Sequence, residues 1–262
     1  MSEHSGVFAP GSPCWSDLGV DDVGAARTFY ADVFGWELQD GPPEAGGYLI
    51  AMLDGRAVAG IGPRMGSGAP NAWTTSLATA DADATADAVR DAGGTVLVPP
   101  FDVLDAGRMA IAADTTGVVF GLWQGRGHLG YGRVAQPGAA CWNETHTADP
   151  DAARAFYSAV FGYRFEVFGD PAEPYAIAKL ADAAVDADPV AGVFAPPSGF
   201  PDGVRGYWVT WFGTRDTDAT VAAVVERGGR TLTGPADSPF GRSAVVLGAQ
   251  GELFGVIAVP SD

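Results

Sequence analysis

The stretch Cys14-Trp15-Ser16-Asp17, followed by Ala25-Ala26-Arg27-Thr28-Phe29-Tyr30 and Val33-Phe34-Gly35-Trp36, returns later in the chain. Its second appearance is Cys141-Trp142-Asn143-Glu144, Ala152-Ala153-Arg154-Ala155-Phe156-Tyr157 and Val160-Phe161-Gly162-Tyr163. A repeat of domain size constrains the fold more than composition does, because one unit must fold twice and whatever differs between the copies becomes visible. Two later anchors, Trp73 to Gly94 against Trp208 to Gly229 and Gly107 to Gly121 against Gly241 to Gly255, keep the copies in register. The 262 residues therefore divide into a first unit at 1–126, a linker at 127–136 and a second unit at 137–262. Each unit is large enough to be a small domain with its own core.

Within each half, a short strand (Cys14 to Val20, Cys141 to Thr147) leads into a helix. Asp22 and Asp149 stand where a carboxylate caps free backbone N–H groups, and Pro150 suits the first helical position. Apolar residues at helical spacing follow, and Gly35 and Gly162 stop the helices. Short Gly- and Pro-bounded strands come next, then loops at 63–70 and 195–203. A second strand and helix open at Trp73 with Asp83 to Ala92, and at Trp208 with Asp218 to Arg227. The pattern is βαβββ, twice in each half, an α+β arrangement.

Thirty-two acidic against fifteen basic residues give a formal charge of −17. Such a chain repels phosphate backbones and anionic membrane surfaces, which argues against nucleic-acid and membrane partners. No apolar run approaches the ~18 residues of a membrane span and no secretory leader opens the chain, so a soluble cytoplasmic protein, monomeric or homodimeric, is expected. Cys14 and Cys141 occupy equivalent places and read as small buried hydrophobes on strands. Lys179 reads as a solvated strand residue. His4 falls in a tail expected to be mobile.

The doubled Ala-Ala-Arg-x-Phe-Tyr helix, its Phe-Gly end, and the late Asp114-x-x-Gly117-x-x-Phe120-Gly121 strand resemble the vicinal oxygen chelate superfamily. That group includes glyoxalase I, extradiol dioxygenases and bleomycin-resistance proteins. The resemblance covers nearly the whole chain. It implies two tandem domains, each a cupped, mostly antiparallel sheet built from paired βαβββ modules around a small-molecule site. It also implies three metal-ligand positions per half. These fall on Trp15, Thr74 (or Trp73 with a one-residue slip) and Gly121, and on Trp142, Val209 (or Trp208) and Gly255. None of these side chains supplies the imidazole or carboxylate that a catalytic divalent ion needs, so no metal and no other cofactor is expected.

Alternation places Trp15, Asp17 and Gly19 on one strand face, and Trp142, Glu144 and His146 on the matching face of the second half. The family ligand position puts that face toward the cup. Trp73 and Trp123 in the first half, and Trp208 and Trp211 in the second, extend the candidate aromatic wall; the alternative for each is core filling. Indole faces stack planar rings, and a buried carboxylate demands a partner or accepts a hydrogen bond from a phenol. Arg108 and Arg242 are candidate partners for the carboxylates, or else exposed turn residues. Two functions follow. One is a metal-free binder of a small aromatic or hydrophobic molecule, as in antibiotic resistance, sequestration or biosynthesis. The other is an enzyme that uses Glu144 and His146 as an acid/base pair on a phenolic or polycyclic substrate.

Overall fold

The alternating, turn-punctuated segments of each half assemble into one curled eight-stranded sheet, seen in a computed structural model that describes residues 2–66, 68–169, 174–184, 187–196 and 204–260. A two-residue strand, β1 (Ser2–Glu3), precedes the first sheet. That sheet comprises β2 (Pro13–Val20), β3 (Glu37–Asp40), β4 (Leu49–Leu53), β5 (Arg56–Pro63), β6 (Ala72–Ala78), β7 (Thr95–Val103), β8 (Gly107–Ala113) and β9 (Val119–Gly125). Their order across the sheet is β3-β4-β5-β2-β6-β9-β8-β7. After β10 (Arg133–Val134) come β11 (Ala140–Thr147), β12 (Arg164–Phe168), β13 (Tyr175–Lys179), β14 (Ala191–Phe194), β15 (Gly206–Thr214), β16 (Arg230–Ser238), β17 (Gly241–Leu247) and β18 (Leu253–Ala258). The second sheet repeats the first, in the order β12-β13-β14-β11-β15-β18-β17-β16. Parallel pairing occurs where each module closes on itself, β2 with β5 and β6 with β9, while the other neighbours, including β2 with β6 where the modules meet, run antiparallel.

Among the described residues four α-helices connect the strands: α1 (Val23–Phe34), α2 (Ala82–Asp91), α3 (Pro150–Phe161) and α4 (Thr217–Glu226). Asp22 and Asp149 cap α1 and α3 by accepting from Ala25 N and Ala152 N. Gly35 and Gly162 end those helices at φ of 71° and 69°, a left-handed conformation that costs glycine nothing. α2 and α4 start earlier than their sequence suggests, because Asp81 and Asp216 are the capping carboxylates.

Each sheet belongs to one half, but the cores do not. Phe34 of α1 packs 5.1 Å from Phe212 and 5.9 Å from Phe254, both of the second half. Reciprocally, Phe120 of the first half lies 6.0 Å from Phe156 and 5.7 Å from Tyr157 of α3. The first module thus shares a core with the fourth, and the second with the third. This differs from the expectation of a separate core in each half, and the reason is geometric: each helix covers only part of its sheet, and the helix layer of the other half covers the rest.

Three further expectations change. His4 is not in a loose tail: β1 pairs with β10, the His4 amide bonds Gly132 O at 3.2 Å, and its ring stacks 3.8 Å from Phe8. Lys179 is 12% exposed and ion-paired with Glu166 at 2.9 Å, because β12 and β13 bring them side by side. Cys14 is buried but Cys141 only half-buried, and burial pushes the Cys141 thiol up to about 12, which leaves it unreactive. Most of the loop expected at 195–203 lies outside the described residues. Among those described, no helix is long and apolar enough to cross a membrane.

Candidate functional site

Strand alternation in β11 turns Asn143 toward the other half, where it accepts from Thr75 at 3.2 Å, and also from Thr210 of neighbouring β15 at 3.0 Å. Trp142, Glu144 and His146 therefore point the other way, into the concave face of the second sheet. Glu144 is 6% exposed and is the hub of the site. One of its oxygens accepts from His146 Nε2 at 2.7 Å and Trp211 Nε1 at 3.0 Å. The other accepts from Tyr175 Oη at 2.6 Å and Trp142 Nε1 at 3.2 Å. An ionised carboxylate has about four acceptor sites, and here all are used. Burial by itself pushes the Glu144 carboxyl up, but the bond and charge of His146, then the bonds from Tyr175 and Trp211, bring it below the ordinary value.

This arrangement divides the expected acid/base pair into unequal roles. Glu144 is ionised at neutral pH and saturated with donors, so it cannot take a substrate proton. By accepting from His146 Nε2 it holds a proton there, so that in the neutral ring Nδ1 is the lone-pair acceptor. Among the described residues Nδ1 has no hydrogen-bond partner. Phe194 and Tyr207 stand 5.4 and 5.5 Å from the imidazole, and Phe240 stands 6.5 Å from Tyr175. The result is an aromatic cup with one polar acceptor in its wall.

The first half has a reduced version. Asp17 accepts from Trp15 Nε1 at 3.1 Å and from Tyr48 Oη at 2.5 Å. With only these two donors burial prevails, and the Asp17 carboxyl lies above its ordinary value despite Tyr48 and Trp15. Gly19 stands where His146 would be. Register across the sheets equates Ser76 with Trp211 and Trp123 with Ile257, so the second indole has moved from the last strand to the middle one.

Two expected wall residues lie elsewhere. Trp73 and Trp208 pair with Leu18 and Thr145, residues of the outward face, and their indoles donate to Tyr30 Oη at 3.1 Å and Tyr157 Oη at 2.9 Å under the helices. They belong to the core. Arg108 and Arg242 do not approach the buried carboxylates; each forms a pair of hydrogen bonds with an exposed helix-start carboxylate, Asp83 and Asp218. A separate groove of about 830 Å³, lined in part by Arg133, Gln136, Arg215 and Asp216, runs beside α1 and α4 and includes none of the cup residues.

Sequence reasoning missed Tyr48, Tyr175 and His128. The two tyrosines supply the phenol that the carboxylates were expected to bind in a ligand. Each lies 33 residues beyond its tryptophan, an equal spacing that was available as a signal. Gly60 and Gly192 make room for them, since a Cβ at either position would meet the tyrosine hydroxyl and the neighbouring carboxylate residue.

The family's metal positions do not fit a divalent ion here. Thr74 and Val209 share the cup face with Asp17 and Glu144, and Gly121 and Gly255 complete the three strands without a side chain. Indole, isopropyl and hydrogen offer no donor to such an ion, one threonine hydroxyl does not make a site, and the oxygens of Glu144 are already committed. Among the described residues no three His, Cys, Asp or Glu side chains come together.

The family model for the Glyoxalase/Bleomycin resistance protein/Dioxygenase superfamily matches residues 15–122 and again 145–256. The chain belongs to that superfamily as a tandem, two-repeat α+β member. It is 41% identical over 258 residues to a Mycobacterium tuberculosis protein named "Putative glyoxylase CFP32", with 95% of each chain covered. It is 38% identical over 265 residues to the "Anthracycline biosynthesis protein DnrV" of Streptomyces peucetius, covering 95% of this chain and 94% of that one. The fold is similar to that of the 2,2',3-trihydroxybiphenyl 1,2-dioxygenase of Sphingomonas wittichii strain RW1, with a TM-score of 0.64 at 16% identity over 97% of this chain and 93% of the other.

Proposed function

We propose that the protein binds a planar aromatic small molecule, phenolic in character, in the cup of its second half. The observation that carries this reading is the Glu144 hub, which orders two half-buried indoles, a tyrosine and a histidine around one concave face and leaves a single acceptor, His146 Nδ1, for a ligand hydroxyl. Flat rings lie well on indole and phenol faces, and one directed hydrogen bond sets their orientation. Similarity to an anthracycline biosynthesis protein supports the choice of a fused-ring ligand. The donor set supports binding without a divalent ion.

Calorimetric titration with quinizarin, a planar dihydroxyanthraquinone, tests this. Binding is expected to weaken by about 1–3 kcal/mol in Trp142→Ala and in Trp211→Ala. Unchanged affinity in both folded variants moves the ligand out of this cup.

The His146–Glu144 contact favours a second reading, in which the same site is catalytic. His146 Nδ1 would take a proton from a bound phenol or an acidic C–H, and Glu144 would stabilise the imidazolium formed. Turnover that disappears in His146→Ala while the ligand still binds is the outcome that selects the enzyme; an unaltered ligand after prolonged incubation selects the binder.

A further inference from the structure

The two cups share a floor but not a filling. In the first half the chain leaves β9 and folds back over the concave face. Arg126 N and His128 N both donate to Ala106 O at 2.9 Å, and Gly127 N donates to Asp105 O at 3.1 Å, which fastens this crossover to the β7–β8 turn. His128 O accepts from Trp123 Nε1 at 2.9 Å. The imidazole then stands edge-on to Trp15, ring centres 4.3 Å apart at 81°, and 5.8 Å from Trp123. Beyond it, Tyr131 approaches Trp15 at 5.6 Å and its amide bonds Cys14 O at 2.8 Å.

Trp15 is consequently only 3% exposed. Its counterpart Trp142 is half-buried, and among the described residues no aromatic ring packs on Trp142 or on Trp211. The equivalent β16–β17 turn carries Phe240, 77% exposed, facing Tyr175. His128 Nε2 is buried without a partner, and burial brings the imidazole down to about 4, so the ring is neutral at ordinary pH. Contact with two indoles offsets the cost of that unpaired nitrogen.

We propose that His128 is a built-in occupant of the first cup, so that the chain takes one planar aromatic ligand, in the second cup. The ligand half of this statement rests on the reading in the preceding section. The geometry also describes the ligand: a neutral flat ring seated against the Trp142 indole, as His128 is seated against Trp15.

Two measurements on the full chain test it. Deuterium exchange at the imidazole C2 position, read by mass spectrometry across a pH series, is expected to show His128 exchanging slowly and titrating well below the ordinary ~6.5. Rapid exchange with an ordinary titration overturns the proposal without any ligand. Calorimetry with quinizarin is expected to give one site per chain in the native protein, loss of that site in Trp142→Ala, two sites in His128→Ala, and one in His128→Phe, where a ring again fills the cup. Two sites in the native chain, or one in folded His128→Ala, overturns it. Absence of quinizarin binding counts against the proposed ligand, and the exchange rate then still decides whether His128 occupies the cup.

Discussion

Glu144 and Asp17 are equivalent residues whose protonation has moved in opposite directions, and the chief difference is His146, where the first half has Gly19. The bond and charge of His146, with the bonds from Tyr175 and Trp211, hold Glu144 below its ordinary value, whereas burial prevails over the bonds from Tyr48 and Trp15 and leaves Asp17 above its own. Linkage gives the sign. A lowered carboxyl adds stability above the ordinary carboxylate range, and that stability is lost as pH falls through the folded value. A raised carboxyl adds stability that is full below the ordinary range and is lost as pH rises through the folded value. Glu144→Gln is therefore expected to cost on the order of 3 kcal/mol at neutral pH, since it leaves buried donors facing an amide, and to cost less in acid. Asp17→Asn should show the reverse trend, costing most in acid. Urea unfolding midpoints measured across the acid range decide this, and parallel trends for the two variants would refute the assignment. The tryptophan–carboxylate pairing was legible in the sequence because both ends lie two residues apart on a strand. The tyrosine that completes it was not, because it arrives from a different strand and only the folded sheet brings it across.

Parity governs what a strand shows to the cup, and parity explains both the correct and the misplaced walls. Trp15 and Trp142 follow from simple alternation on β2 and β11, but a register shift next to each tryptophan makes the phase of the neighbouring strand unreadable from spacing alone. Hence Trp211 faces the cup while Trp73 and Trp208 face the helices. The same argument gives the small residues of β5 and β14 a purpose: Gly60, with Gly62, and Gly192 give Tyr48 and Tyr175 the width to lie across the sheet. Alanine at either place forces the tyrosine away from its carboxylate, and a loss of about 1–3 kcal/mol of stability is expected from overpacking. The two variants separate in binding. Gly192→Ala should weaken quinizarin at least about tenfold, the equivalent of roughly 1.4 kcal/mol, while Gly60→Ala should leave it unchanged. Equal effects on binding would place the ligand outside the second cup.

At the scale of the molecule, the repeat announced two homologous sheets, yet it concealed how they depend on each other. A duplication is visible as similarity between copies; the packing of one copy on the other is carried by apolar residues that look like any core residue. Tyr30 of α1 donates to Glu252 at 2.8 Å across the whole length of the chain, and Glu252 is 1% exposed. Phe34, Phe212 and Phe254 close around it, each such side chain contributing about 1.5–3 kcal/mol on burial. Separation of the halves would leave a buried-type carboxylate without its phenol and expose two aromatic faces. Residues 1–136 and 137–262, expressed apart, are therefore expected to be aggregated or largely unfolded, each lacking half of both cores. Co-expressed, they should recover a soluble one-to-one complex with the circular dichroism and urea midpoint region of the intact chain, because every cross-half contact is non-covalent. A first half that remains monomeric and cooperatively folded by itself, in sedimentation and in urea, would show that the shared cores are an accessory to two self-sufficient units.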